Sequence, residues 1–255
     1  MTRVFLVGAG PGDPELLTRK ALRLLQQAEI VLFDSLVNPE ILRLAGAGAE
    51  LIDVGKRCGR HSATQETISQ LLVAKARAGL RVVRLKGGDP MVFGRATEEM
   101  AALREAGIEF EIVPGVTAAS AAAADLGLSL TQRKVARALH FLTGHGAEDG
   151  LPAHDWAALT RSGGTLVIYM GGQTLPGLAA HLIEAGMPPE MPAVAVEHAS
   201  LPQRRIFAAT LASLPGQVLA AAPSGPVIVL IGEALAESGA RAGIFTEAGI
   251  AVSAA

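Results

Sequence analysis

The segment Arg84-Leu85-Lys86-Gly87-Gly88-Asp89-Pro90-Met91-Val92-Phe93-Gly94-Arg95 gathers the residue types that bind a small charged ligand. An apolar run through Val82, Val83 and Leu85 stops at two glycines and Asp-Pro, which reads as a strand ending in a tight loop with bare backbone amides. A structural turn needs one glycine and gives no reason for a basic residue on each side, Lys86 and Arg95, so this loop is expected to touch a ligand. An ordinary strand-to-helix connection is the competing reading of the segment taken alone.

A second loop, Gly8-Ala9-Gly10-Pro11-Gly12-Asp13-Pro14, follows the apolar run Val4–Val7 and looks at first like a dinucleotide fingerprint, with Asp34 at the end of the next strand where a ribose-binding acid would sit. The match fails in detail. Asp13 stands at the third glycine position, and Pro11 and Pro14 remove amide donors that a pyrophosphate needs. A stiff loop of this kind suits a ligand lying across its backbone. Pro114-Gly115-Val116-Thr117 offers Thr117 either as a helix cap or as a ligand donor. Tyr169-Met170-Gly171-Gly172 and Glu197-His198-Ala199-Ser200 each end a strand-like run, where open α/β sheets place ligands, although Met170 could equally fill a core.

The elements that must position these residues follow from short β-branched runs alternating with helical patterns. Strands are expected at Val4–Val7, Ile30–Phe33, Leu51–Val54, Val82–Leu85 and Phe110–Val113, with helices near 15–27, 64–78 and 95–105. That alternation argues a mostly parallel sheet covered by helices. A small-residue stretch, Ala118–Ala124, then resembles a closely packed helix, and the pattern restarts. Strands are expected near 138–143, 165–170, 193–197, 205–209 and 227–231, with helices at 156–161 and 174–185. The expected organisation is an α/β lobe over 1–113, a linker and connecting helix over 114–136, a second α/β lobe over 137–240 and a tail over 241–255.

Half of the 255 residues are apolar and the formal net charge is −2, so no global field draws the chain to nucleic acid or an anionic membrane. An anionic ligand must instead meet local Arg and Lys. The lone Cys58 excludes an internal disulfide and a multi-cysteine metal site, and Met1-Thr2-Arg3-Val4 runs straight into a strand, which together predict a cytoplasmic protein. From Ile206 to Gly232 no residue is charged, but Pro215-Gly216 and Pro223-Ser224-Gly225-Pro226 interrupt that stretch, so a strand, a short helix, a loop and a buried strand are expected there and no membrane span.

Val-Gly-Ala-Gly-Pro-Gly-Asp at 7–13, Gly55-Lys56-Arg57 with His61, the 86–95 loop, Pro114–Ala119, Leu130-Thr131-Gln132-Arg133, Thr143-Gly144-His145 and Tyr169-Met170-Gly171 together resemble the tetrapyrrole methylases. The resemblance covers roughly residues 3–235 and points most to members that methylate uroporphyrinogen III at carbons 2 and 7, feeding sirohaem, cobalamin or haem d1 synthesis. It implies two α/β lobes with an active-site cleft between them, S-adenosyl-L-methionine as cofactor, S-adenosyl-L-homocysteine as product, no metal, and a homodimer.

The cofactor contacts the resemblance implies are Pro11, Gly87, Gly88, Asp89, Val92, Thr117, Ala118, Met170 and Ala199. These residue types fit: glycine amides, Asp89 as an acceptor, small Ala118 and Ala199 leaving room for adenine. The acceptor would be a macrocycle bearing eight carboxylates, for which Arg57, Arg60, Arg95, Arg133, Lys134 and Arg137 are candidates, Arg being preferred for its bidentate fork. Arg95 and Arg133 lie in family motifs, and Glu98 stands one turn after Arg95, where it could orient that guanidinium. The resemblance also implies base work for Asp34 and acid work for Lys56, against the simpler readings that Asp34 caps a turn through Asn38-Pro39 and Lys56 pairs with a substrate carboxylate. Ser35 departs from the family, in which arginine can follow the acid. Alternatives are a later precorrin methylase, an RNA ribose methylase, which a net charge of −2 disfavours, and a nucleotide-binding module without turnover.

Overall fold

The computed structural model describes residues 4–55, 64–146 and 150–236, together with the strand pair at 245–246 and 249–250. Two compact units divide the chain, Met1–Ala118 and Ala119–Ala255.

In the first unit the order is β1 (Val4–Gly8), a 3-10 turn (Pro14–Leu16), α1 (Arg19–Gln26), β2 (Ile30–Phe33), α2 (Pro39–Leu42), β3 (Glu50–Asp53), α3 (Gln65–Arg77), β4 (Val82–Lys86), α4 (Ala96–Glu105) and β5 (Phe110–Val113). The strands form one sheet, β3-β2-β4-β1-β5, and every neighbouring pair is parallel. Strand alternation sends Phe5, Val7, Val83 and Leu85 to the face covered by α1 and α2, and Val4, Leu6, Leu32 and Val82 to the face covered by α3 and α4. Burial on both faces explains why these strands read as continuous apolar runs.

Local chemistry sets several boundaries. The helix expected over 15–27 is two pieces, because the Asp13 carboxylate accepts from the Glu15 amide to start the 3-10 turn and Thr18 Oγ1 accepts from the Ala21 amide at 3.1 Å to start α1. Helix α2, which the periodicity does not reveal, starts from the Asn38 cap and Pro39. Asn38, not Asp34, makes this cap, and its Nδ2 also donates to Gly12 O at 2.8 Å.

In the second unit α5 (Ala118–Leu126) leads into β6 (Leu139–Thr143), α6 (Trp156–Ser162), β7 (Thr165–Tyr169), α7 (Leu175–Glu184), β8 (Pro192–Glu197), β9 (Arg205–Thr210), α8 (Leu214–Ala221) and β10 (Val227–Ile231), with a small pair β11 (Phe245–Thr246) and β12 (Gly249–Ile250). The sheet order is β6-β7-β10-β8-β9. Only β6 and β7 pair in parallel; β10 runs antiparallel to β7 and β8, and β8 to β9. The parallel expectation therefore holds for the first sheet and not for most of the second. The connection from Glu197 to Arg205 is too short for a crossover and makes a hairpin instead. Leu166, Ile168, Ala195, Val229 and Ile231 pack with Leu178, Leu182, Leu214 and Val218 to form the core beneath α7 and α8.

Both units are thus α/β. Among the described residues no helix is long and apolar enough to cross a membrane.

Candidate active site

In the first unit, the candidate residues collect at the edge where the parallel strands end, the position at which open α/β sheets bind ligands. Loops following β1 and β4 are stitched backbone to backbone: the Ala9 amide donates to Lys86 O at 2.7 Å, the Gly10 amide to Gly88 O at 3.1 Å and the Gly88 amide to Gly10 O at 2.7 Å. A third loop, after β5, presses on the same place. A Cβ on Gly115 would lie 2.3 Å from Gly88 O, and one on Gly8 2.6 Å from Gly115 Cα. Only glycine lets three backbones approach so closely. The Asp89 carboxylate fastens the assembly, accepting from the Met91 amide at 2.7 Å and the Gly115 amide at 3.0 Å. Beyond it, Phe93 and Arg95 hold left-handed backbone (φ 52° and 53°), and a Cβ on the intervening Gly94 would lie 2.5 Å from Pro90 O. Non-glycine residues in that region are strained and are kept there by the surrounding structure.

Arg95 and Glu98 form a bidentate pair on the surface, with Nε to Oε1 at 2.8 Å and Nη2 to Oε2 at 2.7 Å. The next residue, Glu99, points the other way and is fully buried. Its Oε1 accepts from Arg84 Nε at 2.9 Å, Lys86 Nζ at 3.1 Å and Gln65 Nε2 at 3.3 Å. Arg84, 1% exposed, also donates through Nη1 to Leu32 O and Leu85 O, and through Nη2 to Oδ1 of Asp34. Lys86 Nζ lies 3.8 Å from Asp34 Oδ2. Two cations and two carboxylates thus share one pocket under the end of β4, a balance that buried charge requires. Burial, and then the neighbouring Arg84, pull the Lys86 pKa below its ordinary value, with Glu99 and Asp34 only partly opposing them.

In the second unit, β6, β7 and β8 end at one edge, where Tyr169 and Glu197 face the first residues of β10. Glycines again permit a close crossing: a Cβ on Gly144 would lie 2.5 Å from Gly171 Cα, and the Gly144 amide donates to Tyr169 O at 2.7 Å. Met170, His198 and Ser200 hold left-handed backbone, and the Met170 side chain is half exposed. Glu197, fully buried, accepts the Ser224 and Gly225 amides on Oε1 at 2.8 Å each and Arg205 Nε on Oε2. The Ser200 amide donates to Asp125 at 2.6 Å. These bonds fix the loop that carries Ala199, itself buried.

The profile of the tetrapyrrole (corrin/porphyrin) methylases matches residues 3–215. The chain belongs to this family. It is 50% identical over 229 residues to siroheme synthase 2 of Halorhodospira halophila, which takes in 90% of this chain and 46% of that protein. It is 48% identical over 233 residues to the chloroplastic S-adenosyl-L-methionine-dependent uroporphyrinogen III methyltransferase of Arabidopsis thaliana, covering 90% of this chain and 63% of the relative. The chain spans about half the length of the siroheme synthases it matches. Among solved structures, the uroporphyrin-III C-methyltransferase of Thermus thermophilus complexed with S-adenyl homocysteine superposes with a TM-score of 0.80 at 42% identity, covering 92% of this chain and 99% of that one.

Of the predicted site residues, the first unit carries Pro11, Asp34, Gly87, Gly88, Asp89, Val92, Arg95, Glu98, Thr117 and Ala118, and the second carries Arg133, Met170 and Ala199. Lys56, Arg57, Arg60 and His61 lie outside the described residues, although Gly55 is described and a Cβ there would lie 2.2 Å from the Ser35 amide nitrogen. Arg133, Lys134 and Arg137 are exposed along the turn closed by Gln132 and Ala136. Lys86 is corrected: it is 3% exposed and bound to Glu99, so it does not flank the loop as a ligand contact. The sequence assigns no role to Arg84 or Glu197, named only within their segments, nor to Glu99. The available signal for the first was a charge at alternating register inside an otherwise apolar strand, Val82-Val83-Arg84-Leu85.

Proposed function

We propose that this chain is a C-methyltransferase that uses S-adenosyl-L-methionine to methylate uroporphyrinogen III at carbons 2 and 7, giving precorrin-2 through precorrin-1 and releasing S-adenosyl-L-homocysteine. One observation carries the reading. Asp34, the 87–95 loop and Gly115 gather at one edge of a parallel sheet, in a chain whose Thermus relative of nearly equal length is a uroporphyrin-III C-methyltransferase. The proposed setting is a homodimer in the cytoplasm, without nucleic acid or membrane partners, serving sirohaem, cobalamin or haem d1 synthesis.

The residues present fit the cofactor. A Cβ direction at Gly88, φ 66°, meets nothing within 4 Å, leaving open space over the backbone, and Met170 offers a half-exposed thioether on a strained turn. Pro11, Gly87, Gly88, Val92, Thr117 and Ala118 are the proposed cofactor contacts of the first unit, and Met170 and Ala199 those of the second. Asp89 acts there through the loops it joins, since both its oxygens hold backbone amides. When bound, S-adenosyl-L-methionine supplies an already activated methyl group, so the protein's task is alignment.

Arg95, its fork held flat by Glu98, and Arg133 on its exposed turn are assigned to acceptor carboxylates. Methylating a pyrrole carbon leaves the macrocycle cationic until a bridge proton departs. Asp34, at the end of β2, is assigned to receive that proton and Lys56 to act as an acid. The test is anaerobic incubation of the protein with the donor and uroporphyrinogen III. The expected result is S-adenosyl-L-homocysteine formed only when the macrocycle is present. Release that ignores the macrocycle, or none, rejects the assignment.

A further inference from the structure

We propose that Arg84 and Glu99 are positioning residues for the methyl transfer: Glu99 holds Arg84, and Arg84 holds Oδ1 of Asp34 so that Oδ2 is presented to the tetrapyrrole. This inference rests on the assignment of Asp34 above and deepens it.

The geometry leaves Arg84 no freedom. Its Nε is committed to Glu99 Oε1, Nη1 to the carbonyls of Leu32 and Leu85, and Nη2 to Asp34 Oδ1. Those carbonyls belong to the last turn of register of β2 and β4, so the guanidinium is tied to the sheet itself rather than to a loop. Glu99 is equally fixed, since Lys86 and Gln65 share the oxygen that Arg84 uses. Asp34 is the one member of the group that reaches solvent, with 29% of its side chain exposed against 1% for Arg84, 4% for Lys86 and none for Glu99. Among the described residues, Asp34 Oδ2 accepts no hydrogen bond, and Lys86 Nζ stands beyond bonding distance at 3.8 Å. One carboxylate oxygen is therefore anchored to a buried fork, while the other, beside the Lys86 ammonium, accepts no hydrogen bond among the described residues, in a side chain that reaches solvent. A fully buried cation and anion that only stabilised the fold would be a poor choice over apolar side chains of the same size. Their arrangement does define the angle of one exposed carboxylate, and a proton acceptor must be aligned to work.

Removing one partner of a buried ion pair can unfold a protein, so the test uses the charge-balanced pair Arg84→Met/Glu99→Met, alongside the milder Arg84→Lys. Turnover of uroporphyrinogen III, homocysteine-product affinity by calorimetry, and a crystal structure are read for each. The paired variant is expected to lose about 100-fold in kcat, the loss typical of a misplaced reacting group, with unchanged affinity for S-adenosyl-L-homocysteine and with the Asp34 carboxylate turned from its wild-type angle. Adding both changes to Asp34→Asn is expected to lower kcat no further than Asp34→Asn alone, because the pair acts through that carboxylate. Arg84→Lys, keeping charge but not the fork, is expected to restore part of the loss. Multiplied losses in the combined variant, full turnover in the paired variant, or an unmoved Asp34 carboxylate would each overturn the proposal. A wild-type protein that fails to methylate while Asp34 still turns in the paired variant would remove the functional assignment and leave the positioning relationship standing.

Discussion

Asp89 and Gly115 are joined across two loops by a 3.0 Å hydrogen bond from the glycine amide to Oδ2 of the carboxylate. The loop after β4 and the loop after β5 are therefore tied together, with Gly115 pressed against Gly88 O.

That contact makes Gly115 intolerant of a side chain. Because an added Cβ would fall 2.3 Å from the backbone oxygen of Gly88, relief requires moving main chain, not a flexible side chain. Gly115→Ala is expected to destabilise the protein by about 1–3 kcal/mol, the usual range for overpacking, and to weaken S-adenosyl-L-homocysteine binding. Denaturant unfolding and calorimetry check both; wild-type affinity in the variant would show that this crossing does not shape the cofactor loop.

Arg133→Ala is expected to damage acceptor use alone. Losing a charge-assisted contact of about 1.5–3 kcal/mol corresponds to a fall in kcat/KM of about 10- to 100-fold, with product-nucleoside affinity retained. Steady-state kinetics against uroporphyrinogen III and calorimetry separate the two effects, and equal loss of both would remove Arg133 from the acceptor site.

Glu197 should govern part of the acid limb of stability. Burial is the strongest single influence and pushes its carboxyl upward, but the Arg205 hydrogen bond and the Gly225 and Ser224 amides outweigh it, so the pKa lies below the ordinary 4.5. A carboxyl depressed by folding stabilises the native state above its unfolded value, and that contribution is lost as pH falls through the folded value. Glu197→Gln is expected to lower Tm at neutral pH and to flatten its decline below pH 4.5. Thermal melts of both proteins from pH 3 to 7 give the comparison, about one titration range on each side of the ordinary carboxyl value.

Lys86 shows the same sign of effect at the alkaline end. Its pKa is pulled below 10.5 by burial and by Arg84, so between the folded value and 10.5 the unfolded chain binds more protons than the native one. Stability from this group accordingly rises with pH across that window. In Lys86→Met that alkaline gain is expected to vanish, measured as the difference in unfolding free energy between the two proteins against pH.

The sequence reveals what local pattern encodes. The strands of the first sheet, α3 with its Thr64 cap, and the Arg95–Glu98 pair at i,i+3 all follow from apolar runs, capping residues or helix spacing. It does not reveal which charge turns inward. Lys86 stands beside a glycine loop and reads as a ligand contact, yet strand alternation puts it with Arg84 on the α3/α4 face, where only the docking of α4 supplies Glu99. Glu98 and Glu99 are adjacent and chemically identical, and their opposite fates depend on the helix rotation that packing imposes. The mixed second sheet likewise depends on how far the chain travels between Glu197 and Arg205, a tertiary choice that periodicity within each strand cannot express.

The most direct measurement of the central claim is carbon-13 NMR of the macrocycle after anaerobic reaction with methyl-labelled S-adenosyl-L-methionine. Two labelled methyl groups, at carbons 2 and 7 of uroporphyrinogen III, are the predicted result. Label at another carbon, a third labelled methyl group, or an unlabelled macrocycle would contradict it.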